Sequence, residues 1–185
     1  MTTLIIIAAV LALFVLFVIG IYNALIRLRN QVDNAWSQID VQLKRRHDLI
    51  PNLVETAKGY MQHERGTFEA ITKARSQAMG AKTVSDASKA EGALGDALSK
   101  FMLVVENYPD LKANQNFLAL QEELTGTENR ISFARQSYND QVLFFNNKIQ
   151  MFPSNIIANM FNFGKRDFFG LETAAEREVP KVSFT

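Results

Sequence analysis

The chain has 185 residues, with 20 Lys and Arg against 19 Asp and Glu, two His and no Cys, so it has room for one modest domain. A net charge of +1 without a dense basic face excludes a protein that grips nucleic acid through many phosphate contacts, and the lack of Cys excludes disulfide scaffolds, thiolate metal sites and cysteine nucleophiles. Four Pro, nine Gly and 48% hydrophobic residues argue for a mostly helical protein over a disordered chain or one of many short strands.

From Leu4 to Tyr22 the chain reads LIIIAAVLALFVLFVIGIY, 19 residues without a charge. A helix of that length spans about 28 Å, close to the hydrocarbon thickness of a bilayer. A cleaved signal peptide fits less well, because no Lys or Arg precedes Leu4 and the apolar run exceeds the usual length. Tyr22 sits where an interfacial belt would lie, and Arg27 and Arg29 follow it. The positive-inside rule then predicts a single-pass membrane protein with Met1 outside and the remaining chain in the cytoplasm, the opposite orientation being the alternative.

Beyond the anchor, apolar residues recur at Val32, Trp36, Ile39, Leu43, Ile50, Leu53, Ala57 and Tyr60, the spacing of a helix that needs a partner along its length. Pro51 lies inside this stripe and removes the hydrogen bond to residue 47, so the helix kinks there or a second one begins; a kink is expected, because the stripe keeps its phase. Gly59, Gly66 and the intervening His63-Glu64 predict a break near residues 61–65, and the stripe resumes weakly through Phe68, Ile71 and Ala74. Residues 80–87 read as a linker, with Ser88 and Glu91 as a capping box for a helix ending at Tyr108-Pro109. A last long helix is predicted from about Leu111 to Phe152, because Phe117, Leu124, Ile131, Tyr138, Phe145 and Phe152 fall seven apart. Gly126 within it costs up to about 1 kcal/mol relative to Ala without breaking so regular a pattern. The predicted fold is all-α: an antiparallel four-helix up-and-down bundle on a membrane stalk, with three passes as the alternative.

Arg46 falls on a core phase of the first bundle helix, and Glu128 and Arg135 flank the aromatic seam of the last. These three residues are candidates for a structural polar network that fixes helix register. Neither His has a Glu three residues before it, no glycine-rich loop precedes a helix at phosphate-binding spacing, and no nucleophile elbow occurs, so neither catalytic residues nor a metal or other cofactor are expected. The C-terminal part is richer. Phe161, Phe163, Lys165, Arg166, Phe168 and Phe169 form an aromatic, basic segment with two expected uses, contact with the bilayer or with a second protomer, unless its aromatics close the end of the bundle.

Several stretches together resemble the LemA family: AWSQIDVQLKRRHDLIPNLVETAKGY from Ala35, YPDLKANQNFLALQEELTGTENRISFARQSYND from Tyr108, FPSNIIANMF from Phe152 and the terminal PKVSF from Pro180. The resemblance implies a membrane segment followed by a helical-bundle domain in bacterial envelope proteins, and no catalytic motif. It implies association with membrane shaping in magnetosome-forming bacteria and a link to membrane zinc proteases. Lipoprotein-like members carry a Cys before the Tyr-Asn that is Tyr22-Asn23 here; Ile21 stands in that place, so the helix itself must be the anchor. The expected organisation is an anchor with its flank at residues 1–26, a bundle at 27–152 and an aromatic amphipathic segment with tail at 153–185. The expected function is that of a non-enzymatic, self-assembling scaffold or adaptor at the bilayer. A regulatory partner of a membrane protease or signalling protein is the alternative, and an enzyme with an unrecognised site the distant third.

Overall fold

A computed structural model describes residues 1–170, and every structural statement below concerns those residues. Helix α1, Thr2–Lys58, begins as the apolar anchor and continues through the bundle as one unbroken helix of about 85 Å. Helices α2, Arg65–Met79, and α3, Val84–Val105, follow, then a single turn α4, Pro109–Lys112. Helix α5, Gln115–Gln150, runs the whole way back, and a short α6, Ser154–Met160, completes the described helices.

Four passes therefore lead away from the apolar end of α1 and back twice, the four-helix arrangement of the two the sequence left open. α1 and α5 form one tight antiparallel pair along the length of the bundle, and α2 and α3 form another across its distal half. The distal core holds Ile50, Leu53, Ile71, Leu94, Phe101 and Phe117 from all four long helices. The proximal core holds Leu25, Val32 and Ile39 of α1 against Ile131, Tyr138 and Phe145 of α5. Burying each such large apolar side chain stabilises by about 1.5–3 kcal/mol. Because α2 and α3 are short, they leave the proximal half of the α1/α5 pair to be covered by α6 and the extended segment 163–170.

Three local expectations are corrected. The cap of α3 is Thr83, whose hydroxyl oxygen accepts from the Asp86 amide at 3.0 Å, so the helix starts ahead of Ser88 and Glu91 is buried in its interior. The last long helix starts after Asn114, whose side chain accepts from the Phe117 amide, and the residues from Pro109 form a separate turn. It also ends before Phe152, which is exposed: Met151 turns to ψ 140 ahead of Phe152-Pro153, so the seven-residue seam stops at Phe145.

Candidate functional site

Two constellations stand out, one where the bundle meets the anchor and one across its middle. At the anchor end, Val18, Ile21 and Tyr22 of α1 pack against the cluster that contains Ile157 and Ala158 of α6. Tyr22 lies 4.8 Å from Phe161 and 5.9 Å from Phe163, ring centre to ring centre. Arg29 places its guanidinium 5.6 Å over the Phe163 ring, while Arg27 is exposed.

From Phe163 the chain extends back along α5 as a strap, held by its backbone. The Asn146 side chain accepts from the Arg166 amide and donates to the Arg166 carbonyl, both at 2.9 Å. Asn139 repeats this on Phe169 at 2.9 and 3.0 Å, and the Tyr138 hydroxyl donates to the Asp167 carbonyl at 2.9 Å. The spacing explains the match: seven residues of helix rise about 10.5 Å, and three residues of extended chain cover about 10 Å. Phe169 then packs 5.7 Å from Trp36, and burial pushes the Tyr138 hydroxyl up to about 12.

This geometry corrects the expected contact surface. Phe169 is buried, Phe163 and Phe168 are half-buried in the chain's own core, and Arg166 pairs with Asp33 at 3.0 Å. Of the six residues, only Phe161 and Lys165 remain exposed without an ion partner or a core role. The segment closes the proximal core because that core would otherwise have only two helices.

Across the middle of the bundle, Arg46 and His47 of α1 meet Glu91 of α3. Glu91 lies 2.6 Å from His47 Nε2 through one oxygen and 3.4 Å from Arg46 Nη1 through the other, and all three residues are buried. Arg46 Nη1 is also 3.1 Å from the half-exposed Glu128 of α5. Arg75 of α2 donates its Nε to the His47 carbonyl at 2.7 Å. Four helices thus meet in one polar layer. Of the three residues singled out in the sequence, Arg46 and Glu128 come together, whereas Arg135 lies elsewhere, its guanidinium 5.4 Å over the Phe169 ring. Glu91, His47 and Arg75 escape sequence reasoning, although Glu91 falls on the same helical face as Ala87, Leu94 and Leu98, which marks an inward carboxylate.

Two surfaces remain open. Between α3 and α5 a groove of about 660 Å³ is lined by Leu98, Met102, Leu103 and Leu124 together with Arg46 and Glu128. On the other flank of the α1/α5 pair, away from the strap, a shallow groove of about 600 Å³ exposes Val41 and Phe133 among Ser37, Gln38, Arg130 and Ser137. Neither groove gathers three metal-binding side chains, and no such group occurs among the described residues.

A stalk continuous with an antiparallel bundle, closed by a returning C-terminal segment, is the arrangement on which relatives can be compared. Residues 35–184 match the LemA family. The chain belongs to the LemA family. It is similar to Protein LemA of Metamycoplasma hominis, 28% identical over 174 residues that cover 93% of this chain and 77% of that protein. It is also similar to Magnetosome protein MamQ 2 of Paramagnetospirillum magneticum, at 23% identity over 85% of this chain and 68% of the relative. Magnetosome protein MamQ of Magnetospirillum gryphiswaldense shares 22% identity over the same proportions. With its exposed apolar helix, this LemA-family chain is a membrane-associated helical protein.

Proposed function

We propose that this LemA-family protein is a non-catalytic scaffold of the bacterial inner membrane that assembles with further copies of itself through the open flank of the α1/α5 pair. The observation that carries the reading is the unbroken α1, which joins the anchor to the tip of the bundle without a linker and so holds the bundle rigidly over the bilayer. Copies anchored in one membrane meet side by side, and the flank bearing Val41 and Phe133 is the face that neither α2, α3 nor the strap covers. The likeness to magnetosome proteins supports a role in organising membrane. Arg27 and Arg29 support a cytoplasmic bundle, and impermeant maleimide labelling of Thr2→Cys against Ser85→Cys reads that orientation directly.

The test of assembly uses the absence of native Cys. Val41→Cys and Phe133→Cys chains, oxidised in native membranes, form disulfide-linked dimers, whereas Leu103→Cys on the opposite side does not. A protein that stays monomeric in detergent and in bilayers at every concentration, with no cross-link at either position, overturns the proposal.

A second reading is favoured by the groove between α3 and α5, whose apolar lining with the Arg46–Glu128 pair suits a segment of a membrane partner such as a zinc protease. Leu103→Glu abolishes co-purification of such a partner in that reading and leaves self-assembly intact.

A further inference from the structure

The geometry points to a second membrane attachment: α6 is a foot whose outer face lies in the interfacial layer of the same bilayer that α1 crosses. Ile156 and Met160 lie four residues apart on one side of the short helix, with Phe152 in the turn before it and Phe161 just after it. All four are between 49% and 79% exposed, although the opposite residues Ile157 and Ala158 are buried against α1 and α5. An apolar stripe of this kind is unfavourable in water and gains by being covered.

The position of the stripe decides what covers it. α6 contacts α1, and Val18, Ile21 and Tyr22, in the last turns of the apolar run Leu4 to Tyr22, pack against the core cluster that holds Ile157 and Ala158, with the Tyr22 ring 4.8 Å from that of Phe161 just after α6. Four residues of helix, from Val18 to Tyr22, correspond to about 6 Å of depth. A bilayer around the anchor therefore reaches the level of α6, at the 5–10 Å immersion typical of interfacial helices. The charges agree. Residues 20–34 and 144–167 carry five cations, Arg27, Arg29, Lys148, Lys165 and Arg166, against two carboxylates, Asp33 and Asp167, which suits anionic headgroups at the rim of the foot. A span and a foot together fix both the tilt of the bundle and its rotation about α1. The flank bearing Val41 and Phe133 then points in one set direction within the membrane plane.

The inference rests on the membrane anchor, and the test separates the two. Full-length single-Cys chains carrying a nitroxide at Phe14→Cys, Ile156→Cys, Met160→Cys or Leu103→Cys are reconstituted into phosphatidylcholine–phosphatidylglycerol vesicles, and relaxation by O₂ and by an aqueous Ni(II) complex is compared. All four side chains are exposed, so the labels leave the fold in place. The expected result is loss of Ni(II) accessibility with retained O₂ accessibility at residues 156 and 160, as at residue 14 and opposite to residue 103. Ni(II) accessibility at 156 and 160 equal to that at 103 overturns the foot while residue 14 still reports the span; a water-exposed residue 14 overturns the anchor itself. Low accessibility to both reagents at 156 and 160 means that protein covers the stripe, and overturns the foot as well.

Discussion

Pro51 and Arg75 share one carbonyl. Pro51 has no amide to donate to the His47 carbonyl one turn earlier, and Arg75 of α2 donates its Nε there instead, at 2.7 Å. A helix defect is thus converted into a tie between two helices. Replacing Arg75 by Met leaves the carbonyl without that donor, at a cost of about 1–3 kcal/mol. Pro51→Ala restores the helical amide, so the same Arg75→Met change costs less in that background. A double-mutant cycle on denaturant unfolding checks this; a coupling of zero contradicts the shared carbonyl.

Glu91 and Glu128 both reach Arg46, and their surroundings separate them. Glu91 is buried and also faces His47, whereas Glu128 is half exposed. Glu91→Ala leaves Arg46 buried with only the half-exposed Glu128 as partner and His47 without its carboxylate, and destabilises by about 3–5 kcal/mol. Glu128→Ala costs less than about 1 kcal/mol, because solvent screens that pair. Thermal unfolding followed by circular dichroism distinguishes the two, and equal effects contradict the burial argument.

Asn139 and Asn146 hold the strap through its backbone, independently of the side chains at residues 166 and 169. Asn146→Ala removes both hydrogen bonds to Arg166, and with Asn139→Ala the strap loses four. Each lost bond weakens strap docking by about 1 kcal/mol. Gly170→Ala acts at the other end, where φ is +74 and a Cβ would overlap the Arg135 guanidinium. Amide hydrogen exchange at Arg166 and Phe169 accelerates in all three variants, while the amides of α3 keep their protection.

The helices and their passes are legible in the sequence because a stripe of constant phase, such as Val32 to Ala57, encodes both a helix and its need for a partner. Local signals that compete are harder to rank. Ser88 and Glu91 spell a capping box, yet Thr83 and Asp86 spell another, and only the burial of Glu91 against α1 decides between them. The seam to Phe152 fails for a local reason, since Pro153 forces the preceding residues out of the helix. The aromatic residues from Phe161 to Phe169 leave contact with the bilayer or a protomer and closure of the bundle end both open in the sequence, because nothing local shows that an extended segment returns to cover a two-helix core. Asn139 and Asn146, seven apart on one face, are the faint trace of that return.

Tyr138 ties the strap to pH. Its hydroxyl donates to the Asp167 carbonyl, and ionisation would remove the donor and place a charge beside the Trp36 and Phe169 rings. Burial raises it most, with Asp167 and Asp33 adding to the rise and Arg166 opposing it, to about 12 against an ordinary value of 10.0. The unfolded chain loses this proton near pH 10 and the folded chain keeps it, so the folded state binds more protons between pH 10 and about 12. The stabilisation is therefore complete below pH 10 and lost as pH rises through about 12, to the extent of roughly 2–3 kcal/mol. Trp36, the single Trp, has its ring centre 5.6 Å from that of Tyr138 and reports the loss by fluorescence. Tyr138→Phe lowers stability at neutral pH by about 1 kcal/mol through the missing hydrogen bond, but flattens the decline between pH 10 and 12. An unchanged alkaline slope in that variant assigns the titration to another group.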